Sequence, residues 1–262
     1  MNMESLILDK SWNKLKVSKR IQSSDYDPVF WSHYFHTYDV LLKVIPYRQL
    51  LQSLVDAACI RPGHIILDAG SGTGNLAYHL PQGVKTIFVD QSGEALALAN
   101  KKNPEALTLK TSLTNPLPLE PDSVDHIICN NALYTLPYDQ WPLVLDEFYR
   151  VLRPGGSLVL SNIREGFSVL RIYREHIRES VRLRGWTHTL AEVLRLFIPT
   201  LKMFWYNARI IRADAAGTFH FIHRGEQNSL MLGHGFWPVG PEQAVYAGQA
   251  WMAVGIKRYS KF

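Results

Sequence analysis

Cysteine is nearly missing from this chain of 262 residues; Cys59 and Cys129 are its only two, and they form no Cys-x-x-Cys pair. That excludes a disulfide scaffold and the paired-thiol zinc and redox motifs. No metal site is expected. Cys129 sits in an apolar run and reads as a buried core thiol, and a reducing, cytoplasmic setting is expected. Long apolar runs are missing too. No transmembrane helix is expected, because none of the runs approaches the roughly 18 apolar residues a span needs. Leu6-Ile7-Leu8, followed by Asp9 and Lys10, is too short for a secretory apolar region. Acidic residues are slightly short: Lys and Arg number 28 against 23 Asp and Glu, a formal net charge of +5. Such a balance permits an acidic partner without demanding one.

What the chain does have is apolar material, 47% of its residues, and a glycine turn in the middle of it. Ile65 to Leu67 read as a short buried strand of a parallel sheet. Asp68-Ala69-Gly70-Ser71-Gly72-Thr73-Gly74-Asn75 follows, and a helix is expected from Asn75 to about Leu80. Glycines let the backbone turn tightly and let a ligand approach it. Strand, glycine turn and helix together point to a nucleotide-like ligand at the carboxyl edge of a sheet. The dinucleotide fingerprint would place a third glycine where Asn75 stands, and the phosphate-loop Lys is missing.

The string Leu-Asp-Ala-Gly-Ser-Gly-Thr-Gly resembles motif I of the class I S-adenosylmethionine (SAM) methyltransferases, with a general look of the ubiquinone/menaquinone-type enzymes. The resemblance implies SAM as cofactor, with Asp68 facing its methionine end and Gly70, Ser71, Gly72, Thr73 and Gly74 forming the turn around it. A carboxylate suits a cofactor that carries a cationic amino group and no phosphate.

Further strands and helices follow in alternation. Lys85 to Asp90 read as the second strand. Asp90 lies about 20 residues after the turn, the spacing at which a carboxylate accepts both hydrogen bonds of a ribose diol. Gln91 follows, and Ser92 is placed to cap the next helix. Leu107 to Lys110 read as the third strand. Many methyltransferases of this type carry Asp at the position of Ser112; here Ser112 and the backbone of Leu113 stand for the adenine contact. Val124 to Cys129 read as the fourth strand, with Asn130 at its carboxyl end lining the cofactor site. The base-amino motif of nucleic-acid methyltransferases, with its Pro-Pro pair, is missing there, so nucleic acid is disfavoured as substrate. Trp141 to Leu152 read as an amphipathic helix that stops at Arg153-Pro154-Gly155-Gly156, before a fifth strand from Ser157 to Asn162.

The expected architecture is α/β: a Rossmann-like sheet of seven strands, mostly parallel with one antiparallel strand, and helices on both faces. Residues 58–163 and 226–262 form the SAM-binding core, closing with a helix from Glu226 and a hairpin around Ala247-Gly248. Residues 1–57 form an N-terminal arm and an aromatic helical cap. Its aromatics either fold over cofactor and substrate or pack on the sheet edge; Tyr38 is the cofactor contact expected from it, and a helix is expected from Val40 to Ala58.

Residues 164–225 form a helical insertion, the expected substrate-side lid. Two helices are expected there, the second opened by a Thr189-x-x-Glu192 capping box and kinked at Pro199. Basic and Phe/Trp-bearing, this segment either walls a greasy pocket, contacts a membrane peripherally, or simply packs on the sheet.

The expected function is methyl transfer from SAM to a small molecule, hydrophobic or aromatic. The alternatives are a lipid acceptor at a membrane surface, nucleic acid or protein as acceptor, and a SAM-binding protein without chemistry. His33, His36, Tyr134, His188, His220 and His223 are the available bases, and no spacing singles one out.

Overall fold

The computed structural model describes residues 38–259. Five parallel strands form its centre: β1 Ile65–Ala69, β2 Lys85–Asp90, β3 Leu107–Lys110, β4 Val124–Asn130 and β5 Leu152–Ile163. The closing strands are β6 Phe236–Pro238, β7 Gln243–Val245 and β8 Ala250–Lys257. The sheet order is β3-β2-β1-β4-β5-β8-β6, with β7 also on β8. Because β8 runs antiparallel to β5, β6 and β7, it is the one reversed strand. The expected hairpin forms, but its first arm is split into β6 and β7, which pair with successive parts of β8. Eight strands thus occupy seven positions.

The order reverses direction between β1 and β4, and the carboxyl ends of those two strands face one crevice. The strands are apolar because both faces are covered: Ile66, Leu67, Ile127, Ile128, Leu158 and Val159 are fully buried. On one face Phe148, Val144 and Leu145 of α3 (Trp141–Val151) join the cluster of Leu67, Ile127 and Leu158; on the other, Leu50, Leu51 and Leu54 of α1 (Ile45–Ala58) join Ile128 and Val159. The α2 helix (Gly93–Lys102) packs on β2, capped as expected by Ser92, whose hydroxyl accepts from Ala95 N at 3.2 Å.

Four local expectations change. The segment 40–58 is broken: a 3-10 helix spans Asp39–Lys43, Val44 is extended, and α1 starts at Ile45. Pro46 has no N–H and its ring crowds the carbonyl four residues back, so it suits the first turn of α1, where it stands, better than the interior of a longer helix. After the glycine turn comes only a 3-10 helix, Asn75–His79. The α3 helix ends at Val151, and Arg153–Gly156 lie inside β5 rather than before it. There the β4–β5 register jumps from Val124↔Leu152 to His126↔Ser157. Gly156 fits because a Cβ would meet Asp125 O at 2.6 Å.

The fourth change lies in the insertion. Both helices form, α4 Val169–Arg184 and α5 Trp186–Ala215, and α6 (Glu226–Gly233) follows. But α5 starts at Trp186 and runs unbroken through Pro199, so Thr189 and Glu192 make no capping box. Thr189 Oγ1 instead donates to Gly185 O at 2.9 Å, and Glu192 reaches Ser180 and Arg184 of α4. The α4–α5 contact outbids the local signal. Among the described residues no helix is long and apolar enough to cross a membrane.

Candidate active site

The glycine turn is built from left-handed residues. Gly70, Gly72 and Gly74 have φ of 72°, 52° and 71°, a region that side chains with a Cβ rarely adopt. Gly70 N and Ser71 N both donate to Val89 O, at 2.8 and 2.9 Å. The turn is thereby strapped to the end of β2. Asp90 completes the strap: its Oδ2 accepts from Gly72 N at 2.9 Å and its Oδ1 from Ser92 N at 2.8 Å.

Burial pushes the Asp90 carboxyl up, while the N–H groups of Ser92, Gly72 and Gln91 pull it back in part. Asp68, buried at the end of β1, is pushed to about 8, first by burial and then by the negative charge of Asp90. Two carboxylates close enough for the charge of Asp90 to raise Asp68 form a site suited to cationic and hydroxylic ligand groups.

These residues line one cleft, which encloses about 1280 Å³ of space between atoms, the solvent at its mouth included. Tyr38, Asp68, Gly70, Ser71, Gly72, Asp90, Gln91, Ser112, Leu113 and Asn130 all lie on its wall. Two expected residues do not. Thr73 is fully buried behind the turn, its hydroxyl donating to Asp39 Oδ1 at 2.7 Å. Gly74 faces α2, where a Cβ would meet Ala99 Cβ at 2.7 Å. Ser112 holds a local turn, its hydroxyl 2.8 Å from Thr114 Oγ1. Tyr38 meets Tyr47 edge to face, with the Tyr47 hydroxyl 3.2 Å from its own.

The wall also contains residues that sequence spacing did not single out. Asn131 follows β4 with φ 53°, and its N–H donates to Ser161 O at 2.6 Å. Phe167, Met203 and Asn207 come from the insertion and Tyr246 from the β7–β8 turn. Only the left-handed Asn-Asn step after β4 left a trace in the sequence; the others depend on how the insertion folds back. Tyr134 is on the wall, buried, and its backbone N–H donates to Asn162 Oδ1 at 3.2 Å.

The histidine candidates among the described residues are elsewhere. His220 pairs with Glu226 at 2.6 Å, His223 with Glu165 at 3.0 Å, and His188 is exposed. His33 and His36 lie outside the described residues.

The cleft fits a polar, nucleoside-bearing ligand. Four buried atoms of wall residues, Ser71 Oγ, Asn75 Nδ2, Asn130 Oδ1 and Asn131 Oδ1, have no hydrogen-bond partner among the described residues. Buried polar atoms are nearly always paired, so these are apt for a ligand. Comparison with known proteins names the class. Residues 67–160 match the family model described as a methyltransferase domain. Residues 67–160 are thus similar to methyltransferase domains, the likeness that the glycine turn already carries.

Malonyl-[acyl-carrier protein] O-methyltransferase of Pectobacterium atrosepticum is 34% identical over 102 residues, 38% of this chain and 39% of that protein. Demethylmenaquinone methyltransferase of Oceanobacillus iheyensis is 31% identical over 108 residues, 38% of this chain and 44% of that one. The chain thus spans about two fifths of the length of these relatives. In fold, the chain superposes on 1,6-didemethyltoxoflavin-N1-methyltransferase of Burkholderia thailandensis, with a TM-score of 0.57, 18% identity, and coverage of 90% of this chain and 91% of that one. That structure holds its substrate and S-adenosylhomocysteine.

Proposed function

We propose that this chain transfers the methyl group of SAM to a small, apolar or aromatic acceptor. One observation carries the reading: a single cleft joins the polar ends of β1, β2 and β4 to a greasy wall of Tyr134, Phe167, Met203 and Tyr246. The cofactor supplies an electrophilic sulfonium methyl; the chain has to hold both partners in line and keep water out.

In this reading Asp90, pinned by two backbone N–H groups, takes the ribose diol. Asp68 takes the cationic amino group. Gly70, Ser71, Gly72, Gln91 and Asn130 frame the cofactor, Ser112 and Leu113 flank the adenine, and Tyr38 closes over it. Thr73 and Gly74 shape the turn from behind. Residues 58–163 and 226–262 are the core, and the insertion 164–225 is the substrate-side lid, because Met203 and Asn207 reach the wall from it.

Among the described residues no Lys, Arg, His or Glu lines the cleft. That favours an uncharged acceptor and disfavours nucleic acid. Of the substrates named for the two relatives, demethylmenaquinone suits such a wall. A peripheral membrane contact through 164–225 goes with an apolar acceptor, and a cytoplasmic setting goes with two free thiols.

The test is calorimetry with SAM and S-adenosylhomocysteine, with NAD and NADP as controls. SAM is expected to bind and the dinucleotides not. Asp90→Ala should weaken SAM binding by about 100-fold or more, for two charge-assisted hydrogen bonds of about 1.5–3 kcal/mol each. Transfer of labelled methyl to quinols and phenols would follow. A folded chain that does not bind SAM sinks the reading; one that binds SAM and methylates nothing in the screen would be a binding protein without chemistry.

A further inference from the structure

The α5 helix (Trp186–Ala215) is apolar on two opposite sides. Inward, Met203 and Ile210 are buried, and Met203 and Asn207 line the cleft. Outward, Trp186, Leu190, Leu194, Ile198, Leu201 and Trp205 recur every three or four residues, the spacing of one helix face. None of these six is covered by the described residues: Trp186 is 73% exposed, Leu194 68%, Ile198 67% and Trp205 56%. Twenty residues at about 1.5 Å each make a stripe about 30 Å long. An exposed apolar patch of this size on a folded protein marks a surface that meets something.

Charge says what. Arg195, Lys202 and Arg209 stand seven residues apart along one border of the stripe, and Arg209 lies over the Trp205 ring at 5.1 Å. The two acids of α5 are turned away. Glu192 bonds Ser180 and Arg184 of α4, and Asp214 accepts from Phe221 N at 2.9 Å. Arg171 and Arg174 of α4 are exposed as well. A greasy stripe with a tryptophan at each end and a cationic edge matches the boundary between lipid headgroups and acyl chains. The helix is not apolar enough to cross a bilayer, which leaves it lying on one.

We propose that the outward face of α5 docks the protein on an anionic lipid surface. The cleft wall and the docking face are then two sides of one helix, so that an apolar acceptor dissolved in lipid is presented beside the cleft. That link to catalysis rests on the methyl-transfer reading; the docking itself does not.

Flotation of the full-length chain with vesicles tests it. Vesicles of phosphatidylcholine mixed with phosphatidylglycerol should carry the protein up, and vesicles of phosphatidylcholine alone should carry far less. Leu194→Asp combined with Leu201→Asp should cut binding about tenfold or more, since two leucines leave the lipid. Arg195→Glu with Lys202→Glu should cut it about as much, and added salt should mimic that loss in the parent.

Both double variants should melt with the parent, because the altered side chains face solvent. Absence of vesicle binding by the folded parent overturns the proposal. So does binding indifferent to both double variants, or a dimer in solution that the Asp pair dissociates, which would make this face a self-interface. A large drop in melting temperature for the Asp pair would show the stripe covered within the chain and equally overturn it. Calorimetry with SAM, run on the same preparation, separates failure here from failure of the methyl-transfer reading.

Discussion

Lys102 Nζ lies 2.8 Å from Asp39 Oδ1, and this pair joins the end of α2 to the short helix that precedes α1. The same ammonium donates to Asn75 Oδ1 at 2.6 Å and to Thr73 Oγ1 at 3.0 Å. Three donors meet three acceptors just behind the glycine turn, with the lysine side chain only 10% exposed. Asn75, which departs from the dinucleotide pattern, is thus part of the scaffold of this turn. The ion pair fixes the segment carrying Tyr38 against the turn that Tyr38 faces.

Lys102→Met should therefore act at two levels. Losing hydrogen bonds to a charged group, with Asn75 and Thr73 left short of a donor, should lower stability by about 1–3 kcal/mol in a urea titration. SAM affinity should also fall, by about tenfold, since the turn and the Tyr38 segment lose their common anchor. An affinity unchanged in a variant that has lost stability would show that the network serves the fold alone.

Asp68 gives a pH dependence of determinate sign. Its folded value, about 8, lies above the ordinary 3.8, so between these limits the folded state holds a proton that the unfolded chain has released. Stability on this account is greatest below about pH 4 and declines as pH rises towards 8. Asp68→Asn should flatten that decline and raise the melting temperature near neutral pH. Binding goes the other way: a cationic amino group wants the carboxylate ionised, so parent affinity for SAM should rise with pH through about 8. The Asn variant should bind weakly at every pH. Melting curves and calorimetry at several pH values check both slopes.

Much of this site was legible in the sequence because a glycine turn between an apolar strand and a carboxylate-ended strand leaves few alternatives. Asp68, Asp90, Gly70 and Gly72 follow from that local grammar and line the cleft, whereas Thr73 and Gly74 stand behind the turn. The acceptor wall was not legible, for a physical reason. Phe167, Met203, Asn207 and Tyr246 reach the cleft only through the fold of the insertion and of the β7–β8 turn, and no local period encodes a long-range contact. Thr189 and Glu192 show the converse: a sound capping signal was overridden by packing of α5 on α4. Asn75–His79 forms a 3-10 helix where the strand–glycine turn–helix pattern predicts an ordinary one from Asn75 to about Leu80. There Asn75 is held from the side by Lys102 and Thr73.

Gly70 tests the close packing of the turn. A Cβ added there would overlap Ala132 Cβ, and φ is 72°. Gly70→Ala should cost about 2–4 kcal/mol, part backbone strain and part overpacking. Adding Ala132→Gly removes the overlapping atom and leaves the strain, so the double variant should recover part of the loss. Recovery of nothing would place the whole cost in the backbone; full recovery would place it in the overlap. Denaturant titrations of the parent, of both variants and of Ala132→Gly alone decide it.

Among the described residues Tyr134 is the one candidate base on the cleft wall, and its surroundings argue against that role. Burial pushes its hydroxyl well above the usual tyrosine range, so at neutral pH it is a neutral phenol. A neutral phenol can donate a hydrogen bond to an acceptor oxygen, but it takes up a proton poorly. Its ring meets Phe219 and Phe221 edge to face, at 5.7 and 5.6 Å between centroids, and that packing survives removal of the hydroxyl. Tyr134→Phe should keep SAM affinity within about twofold and the shape of the pH–rate profile unchanged, with kcat/KM for an acceptor down about tenfold at most, the worth of one neutral hydrogen bond. A rate that collapses by about 1000-fold, together with a lost limb of the profile, would make Tyr134 a proton-transfer residue after all.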